Sequence, residues 1–161
     1  MKNIFKLTLA LLLIQILNAC GYQPIYSSKT VNINIVKNYN EGDKVISKAI
    51  YSKINEMLIL NKKNAKKVSL RIITNKNKST ASTDSSGNAL SYKINLSSDL
   101  IITDINSNKI LIKENISQSE TYKTKDQIYE NENSERNVLS NLINRSSQEF
   151  LLRISQTNLV K

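Results

Sequence analysis

No histidine occurs anywhere in this sequence. Histidine acid–base catalysis, histidine-dependent nucleophilic triads and histidine metal sites are therefore excluded. The single cysteine, Cys20, rules out a disulfide within the molecule. Three glycines, Gly21, Gly42 and Gly87, are too few and too scattered to build a phosphate-cradling loop. A site made only of carboxylates is the remaining route to catalysis. Glu130, Glu132 and Glu135 do cluster, but they fall at the expected start of a helix, where the positive end of the dipole accounts for them. Asp84 and Asp104 stand in turn segments, and no serine has a nucleophile-elbow context. No enzymatic activity, metal or cofactor is expected.

What the chain does have is a processed beginning. Lys2 and Lys6 precede an apolar run from Leu7 to Leu17, too short to span a bilayer as a stable helix. Leu17-Asn18-Ala19-Cys20 then reads as a lipobox, where a diacylglyceryl group is attached to the thiol and the chain is cut before it. Asn18 departs mildly from the usual pattern. Residues 1–19 are thus expected to be a lipoprotein signal peptide, and Cys20 the lipidated first residue of the mature chain. Each buried methylene stabilises the anchor by roughly 0.8 kcal/mol, so two or more acyl chains hold firmly. In Gram-negative cells an Asp after the cysteine retains a lipoprotein in the inner membrane. Gly21 stands there instead, so the expected address is the periplasmic leaflet of the outer membrane.

Residues 20–161 suffice for one modest domain. Loss of Lys2 and Lys6 lowers the net charge by two from +10. A basic envelope domain meets anionic lipid, lipopolysaccharide phosphates or an acidic protein surface. The chain is also crowded with Lys, Asn and Ile throughout, so part of this charge is equally readable as solvating background. No basic run is interleaved with aromatics, which argues against nucleic acid.

Residues 20–30, with Pro24 and Ser27-Ser28-Lys29-Thr30, suit an extended tether leading into a domain at 31–161. Val31, Ile33 and Ile35 alternate as in a half-buried strand, and Asn38 to Asp43 supply turn chemistry with Asp43 as an N-cap. From Lys44 to Leu60 the period becomes helical, with Ile46, Ile50, Ile54, Met57 and Leu58 on one face. Val68, Leu70 and Ile72 mark a second strand, and residues 74–89 are either a long polar loop or an extension of that strand. Leu90, Tyr92, Ile94, Leu96, Leu100 and Ile102 mark a third strand, and Ile110, Ile112 and Ile116 a fourth beyond the turn at 104–108. A long helix over Gln127–Gln156 carries an apolar stripe through Leu139, Leu142, Ile143, Phe150 and Ile154. The expected product is an α+β two-layer sandwich of order β-α-β-β-β-α, with two helices on one face of a four-stranded mixed sheet.

Cys20-Gly21-Tyr22-Gln23-Pro24-Ile25-Tyr26 resembles the Cys-Gly-aromatic-x-Pro-x-Tyr start of LptE, the lipopolysaccharide-assembly lipoprotein family, in its shorter α-proteobacterial form. Leu100 to Asp104 looks like that family's hairpin before a polar turn, with Tyr122 following. The run Asn144 to Ile154 is similar to its last helix, although Ser146 and Ser147 stand where alanines are usual. The resemblance implies a non-enzymatic partner of the LptD β-barrel, plugging it and binding lipopolysaccharide through basic residues. No local motif fixes those residues. On charge alone the candidates are Arg71, Lys76, Lys78, Lys123 and Lys125, which can pair with lipid A phosphates. The rival reading is an accessory lipoprotein of another envelope machine, pilotin-like or a transporter subunit.

Overall fold

The computed structural model describes residues 33–58 and 65–157. The leader, Cys20 and the stretch at 20–30 lie outside the described residues. Six elements follow in order: β1 (Ile33–Gly42), α1 (Lys44–Met57), β2 (Lys66–Thr83), β3 (Ala89–Asp104), β4 (Ile110–Lys123) and α2 (Ile128–Ser155). The strands form one sheet in the order β1-β2-β3-β4. β1 runs parallel to β2, the geometry that a helical crossover permits, and the two remaining pairs are antiparallel. Helix α1 packs on β1 and β2, α2 packs on β4 and β3, and the helices touch each other. This is the expected α+β mixed-sheet sandwich.

The core lies between sheet and helices. Ile46, Ile50 and Ile54 face Val68, Leu70 and Ile72, while Leu142, Phe150 and Ile154 close over Leu96, Leu100 and Ile102; all are buried. Ser146 and Ser147 are fully buried in the same stripe of α2. Ser147 Oγ donates to the Ile143 carbonyl at 2.8 Å, the back-bond that lets a hydroxyl sit inside a helix face.

The junction between β1 and α1 corrects the expected turn at 38–43. β1 continues to Gly42 because its parallel ladder with β2 outweighs the turn preference of Asn38 and Asn40, which pair with Leu70 and Ile72. Asp43 then caps α1, accepting from the Val45 and Ile46 N–H groups. Its own N–H donates to the Thr74 carbonyl at 3.0 Å, and Thr74 Oγ1 donates back to the Asp43 carbonyl at 2.9 Å. Gly42 has φ of 72°, and a Cβ there would collide with the Thr74 carbonyl. Helix α1 ends at Met57 rather than Leu60, and Met57 is exposed while Leu58 is buried.

Two further expectations resolve or change. The polar segment after Thr74 is a strand extension: β2 pairs with β3 as far as Thr83, and the turn lies only at 84–88. There Asp84 Oδ1 accepts from the Ser86 and Asn88 N–H groups, and Gly87 takes φ of 85°. Ile110 is 54% exposed instead of facing the core with Ile112. The register slips between Ile102 and Thr103, so Ile110 pairs with Thr103 on the other face. One extra residue in a strand is enough to reverse a side chain. Leu90, near the far end of β3, is also exposed.

Candidate functional site

Helix α1 has 14 residues and β2 has 18. At about 1.5 Å per helical and 3.3 Å per extended residue, the helix covers only about a third of that strand. The alternation Val68, Leu70, Ile72, Thr74 is buried beneath it. The next two positions of the same parity are Lys76 and Lys78, so their side chains rise from the helix-covered face beyond the N-terminal end of α1, which starts beside Thr74. The first half of α2 flanks them on the other side.

The elements meet at Glu135. Lys78 Nζ lies 2.7 Å from its Oε2 and Lys76 Nζ 3.5 Å from its Oε1. The Tyr122 hydroxyl donates to Oε2 at 3.2 Å. Lys78 also stands over the Tyr92 ring, 4.4 Å from its centroid, and 5.6 Å from that of Tyr122. Register explains the aromatic pair. Tyr92 on β3 sits directly opposite Tyr122 on β4, with ring centroids 5.9 Å apart.

The hydrogen bond to Glu135 raises the Lys78 pKa far above its ordinary value, with the bond to Tyr122 adding to it. Lys78 holds the Glu135 carboxyl below the usual carboxylate range, and desolvation pushes the Tyr122 phenol up. At neutral pH Lys78 is thus an ammonium group, Glu135 a carboxylate and Tyr122 a neutral phenol. Lys78 cannot act as a base there; it supplies charge and hydrogen-bond donors. Its side chain is 37% exposed and that of Lys76 31%, so an anion from solvent can reach both. A depression of about 300 Å³ beside them is lined by Lys76, Glu132, Glu135, Arg136 and Leu139.

Of the five basic candidates, the fold brings Lys76 and Lys78 together and separates the rest from them. Arg71 has the opposite parity on β2 and projects from the helix-free face, where its Nε lies 3.3 Å from Glu41 Oε1 and its guanidinium 5.6 Å from the Tyr39 ring. Lys123 also has the parity of the helix-free face, opposite Ser91. Lys125 lies past β4, its backbone clamped by the Asn131 amide at 2.8 and 2.6 Å. Reading Glu135 as a dipole charge missed its role. Only Glu130 lies in the first turn, and Glu135 is instead the shared acceptor of two lysines and a tyrosine. The signal available was parity: Lys76 and Lys78 continue the phase of Val68, Leu70 and Ile72.

No family model matches the sequence, and no curated protein matches it. Solved structures do resemble its fold. Rare lipoprotein B from Shewanella oneidensis superimposes with a TM-score of 0.53 at 12% identity, over 74% of this chain and 92% of its own. An uncharacterized lipoprotein B from Nitrosomonas europaea gives 0.55 at 15% identity, over 78% and 86% of the two chains. A minor lipoprotein from Acinetobacter baumannii gives 0.55 at 14% identity, over 76% and 93%. These likenesses establish a shared fold.

Proposed function

We propose that this protein is an outer-membrane lipoprotein, anchored through Cys20 to the periplasmic leaflet, that plugs an LptD-like β-barrel and assists lipopolysaccharide assembly at the cell surface. The observation that carries the reading is a coincidence of two independent features. A lipobox-like leader ends at Cys20, and the domain behind it has the fold of proteins described as lipoproteins, lipoprotein B among them. The start from Cys20 to Tyr26 resembles that of the LptE family and selects this machine over a pilotin-like or transporter role. The role is non-catalytic and needs no cofactor beyond the lipid on Cys20. Within it, Lys76 and Lys78 are the residues best arranged to hold a lipid A phosphate, with Glu135 as the internal anion that such a phosphate displaces.

The test is purification of the tagged full chain in mild detergent, together with depletion in cells. Co-purification of a large β-barrel and retention of lipopolysaccharide inside the cell are expected. Recovery as a free monomer, or with a different machine and normal surface lipopolysaccharide, overturns the reading. A direct lipopolysaccharide-binding assay should show K76A/K78A weakened more than K123A/K125A.

A further inference from the structure

The sheet has a second face that no element of the described residues covers, because both helices lie on the other. Its side chains follow from the ladder, since partners in register project to the same side. Lys37, Lys67, Arg71, Lys93, Lys113 and Lys123 all belong to this face, and together they involve all four strands. Of the chain's 13 acidic residues, only Glu41 and Asp99 share it. Both are engaged, Glu41 by Arg71 at 3.3 Å and Asp99 by Asn115 at 2.6 Å. Among the described residues, none of the five lysines on this face reaches a carboxylate within ion-pair distance. Apart from Glu41 and Asp99, the acids lie on helices, caps, turns and the helix-covered side of the strands, while unpaired lysines spread over the bare sheet.

The spacing describes the partner. Tyr39, Arg71, Ile101 and Lys113 are consecutive neighbours across the four strands, an apolar and cationic row. Beside it a cavity of about 400 Å³ is lined by Tyr39, Ser69, Arg71, Ile101, Thr103, Asn108 and Ile110. Tyr39 and Ile110 are exposed there, enough apolar surface to seat one side chain. Farther along, Asn77, Asn95 and Ser119 make a row of amides and a hydroxyl at strand spacing. Lipid headgroups offer charge but no ordered set of partners at that spacing. A second strand-built surface offers both.

The geometry points to the helix-free sheet face as the surface that docks against the partner barrel, on a polar wall patch bearing carboxylates opposite Arg71 and Lys113. Packing there is sheet on sheet, with the electrostatics fixing register and orientation. This inference rests on the barrel reading proposed above and adds to it which face meets the wall.

The experiment uses the tagged full chain co-expressed with the barrel protein of the same organism and extracted in mild detergent. R71E/K113E reverses two charges on the row, and K44E/K48E reverses two exposed charges on α1 as the control. Circular dichroism checks that each variant folds. The row variant is expected to retain about tenfold less barrel than the control, with the gap narrowing at high salt. A photo-crosslinker at Ser117 is expected to reach strand residues of the barrel, and one at Ser140 of α2 much less. If the row variant retains as much barrel as the control, or crosslinks arise only from Ser140, this inference falls and the barrel reading stands. If the unaltered chain retains no barrel, both fall. Loss of binding to anionic phosphatidylglycerol vesicles with barrel retention intact assigns the face to membrane instead and overturns the inference.

Discussion

The two halves of β2 are one strand held in two different ways. From Val68 to Thr74 every second side chain is buried under α1, and the backbone pairs with a strand on each side. From Asn75 to Thr83 every residue is exposed, β1 has ended, and only β3 remains as a neighbour. The first half is fixed by apolar burial at roughly 25 cal/mol per Å². The second is fixed by its ladder and by one charged cluster at Glu135. Core-facing positions in the first half are committed to packing, whereas the second half is free to carry charge, and the candidate anion site lies there.

The largest effect should come from emptying the core that the first half shares. Phe150→Ala removes a fully buried ring and is expected to cost about 3–5 kcal/mol. Chemical denaturation should show the whole domain losing stability together. If hydrogen exchange quickens in the second half of β2 alone, the contrast is wrong. Next is the joint that ties β1 to the end of the buried half. Gly42→Ala forces a side chain into a left-handed backbone and against the Thr74 carbonyl. It is expected to cost ~2 kcal/mol or more, and a change below ~0.5 kcal/mol would show that the β1–α1 junction yields. Gly87→Ala meets open space at the same kind of φ. About 1 kcal/mol is expected there, with faster amide exchange confined to the hairpin end.

The contrast also explains what the sequence disclosed. Periodicity is a record of burial, so Ile46, Ile50 and Ile54 on α1 and Val68, Leu70 and Ile72 on β2 identified their elements correctly. The turn preference of Asn38 and Asn40 hides the last part of β1 in the sequence, because the parallel ladder that overrides it is a long-range contact. Ile110 shares the parity of Ile112 and Ile116 in the sequence, and the bulge that turns it to the other face leaves no mark in a periodic pattern. The second half of β2 has no buried face to betray its conformation, so loop and strand remained equally good readings. The site was half legible. Charge nominated Lys76 and Lys78, but only strand register brings Tyr92 opposite Tyr122, and only the path of α2 brings Glu135 over both lysines. Cys20, on which the cellular address depends, is a sequence signal alone and lies outside the described residues.

The smallest effect is the sharpest test of the second half, because it isolates the charged cluster. Glu135 is held below the usual carboxylate range chiefly by Lys78, so its contribution is complete above the ordinary value of 4.5 and fades as the pH falls through the lowered one. Lys78 is raised above its ordinary 10.5, so its contribution is complete below that value and is lost only as the pH rises through the raised one. Stability from this pair should therefore be flat between those limits and decline outside them. The side chains are part-exposed, which screens the interaction to about 0.5 kcal/mol. Thermal melts of Glu135→Gln should run below the unaltered protein at neutral pH and converge with it in acid. The tyrosine rings report the same event locally. The NMR ring signals of Tyr92 and Tyr122 should shift together as Glu135 takes up its proton, and Glu135→Gln should abolish that step. If the step survives in the variant, another group titrates there and Glu135 is not what holds the lysines.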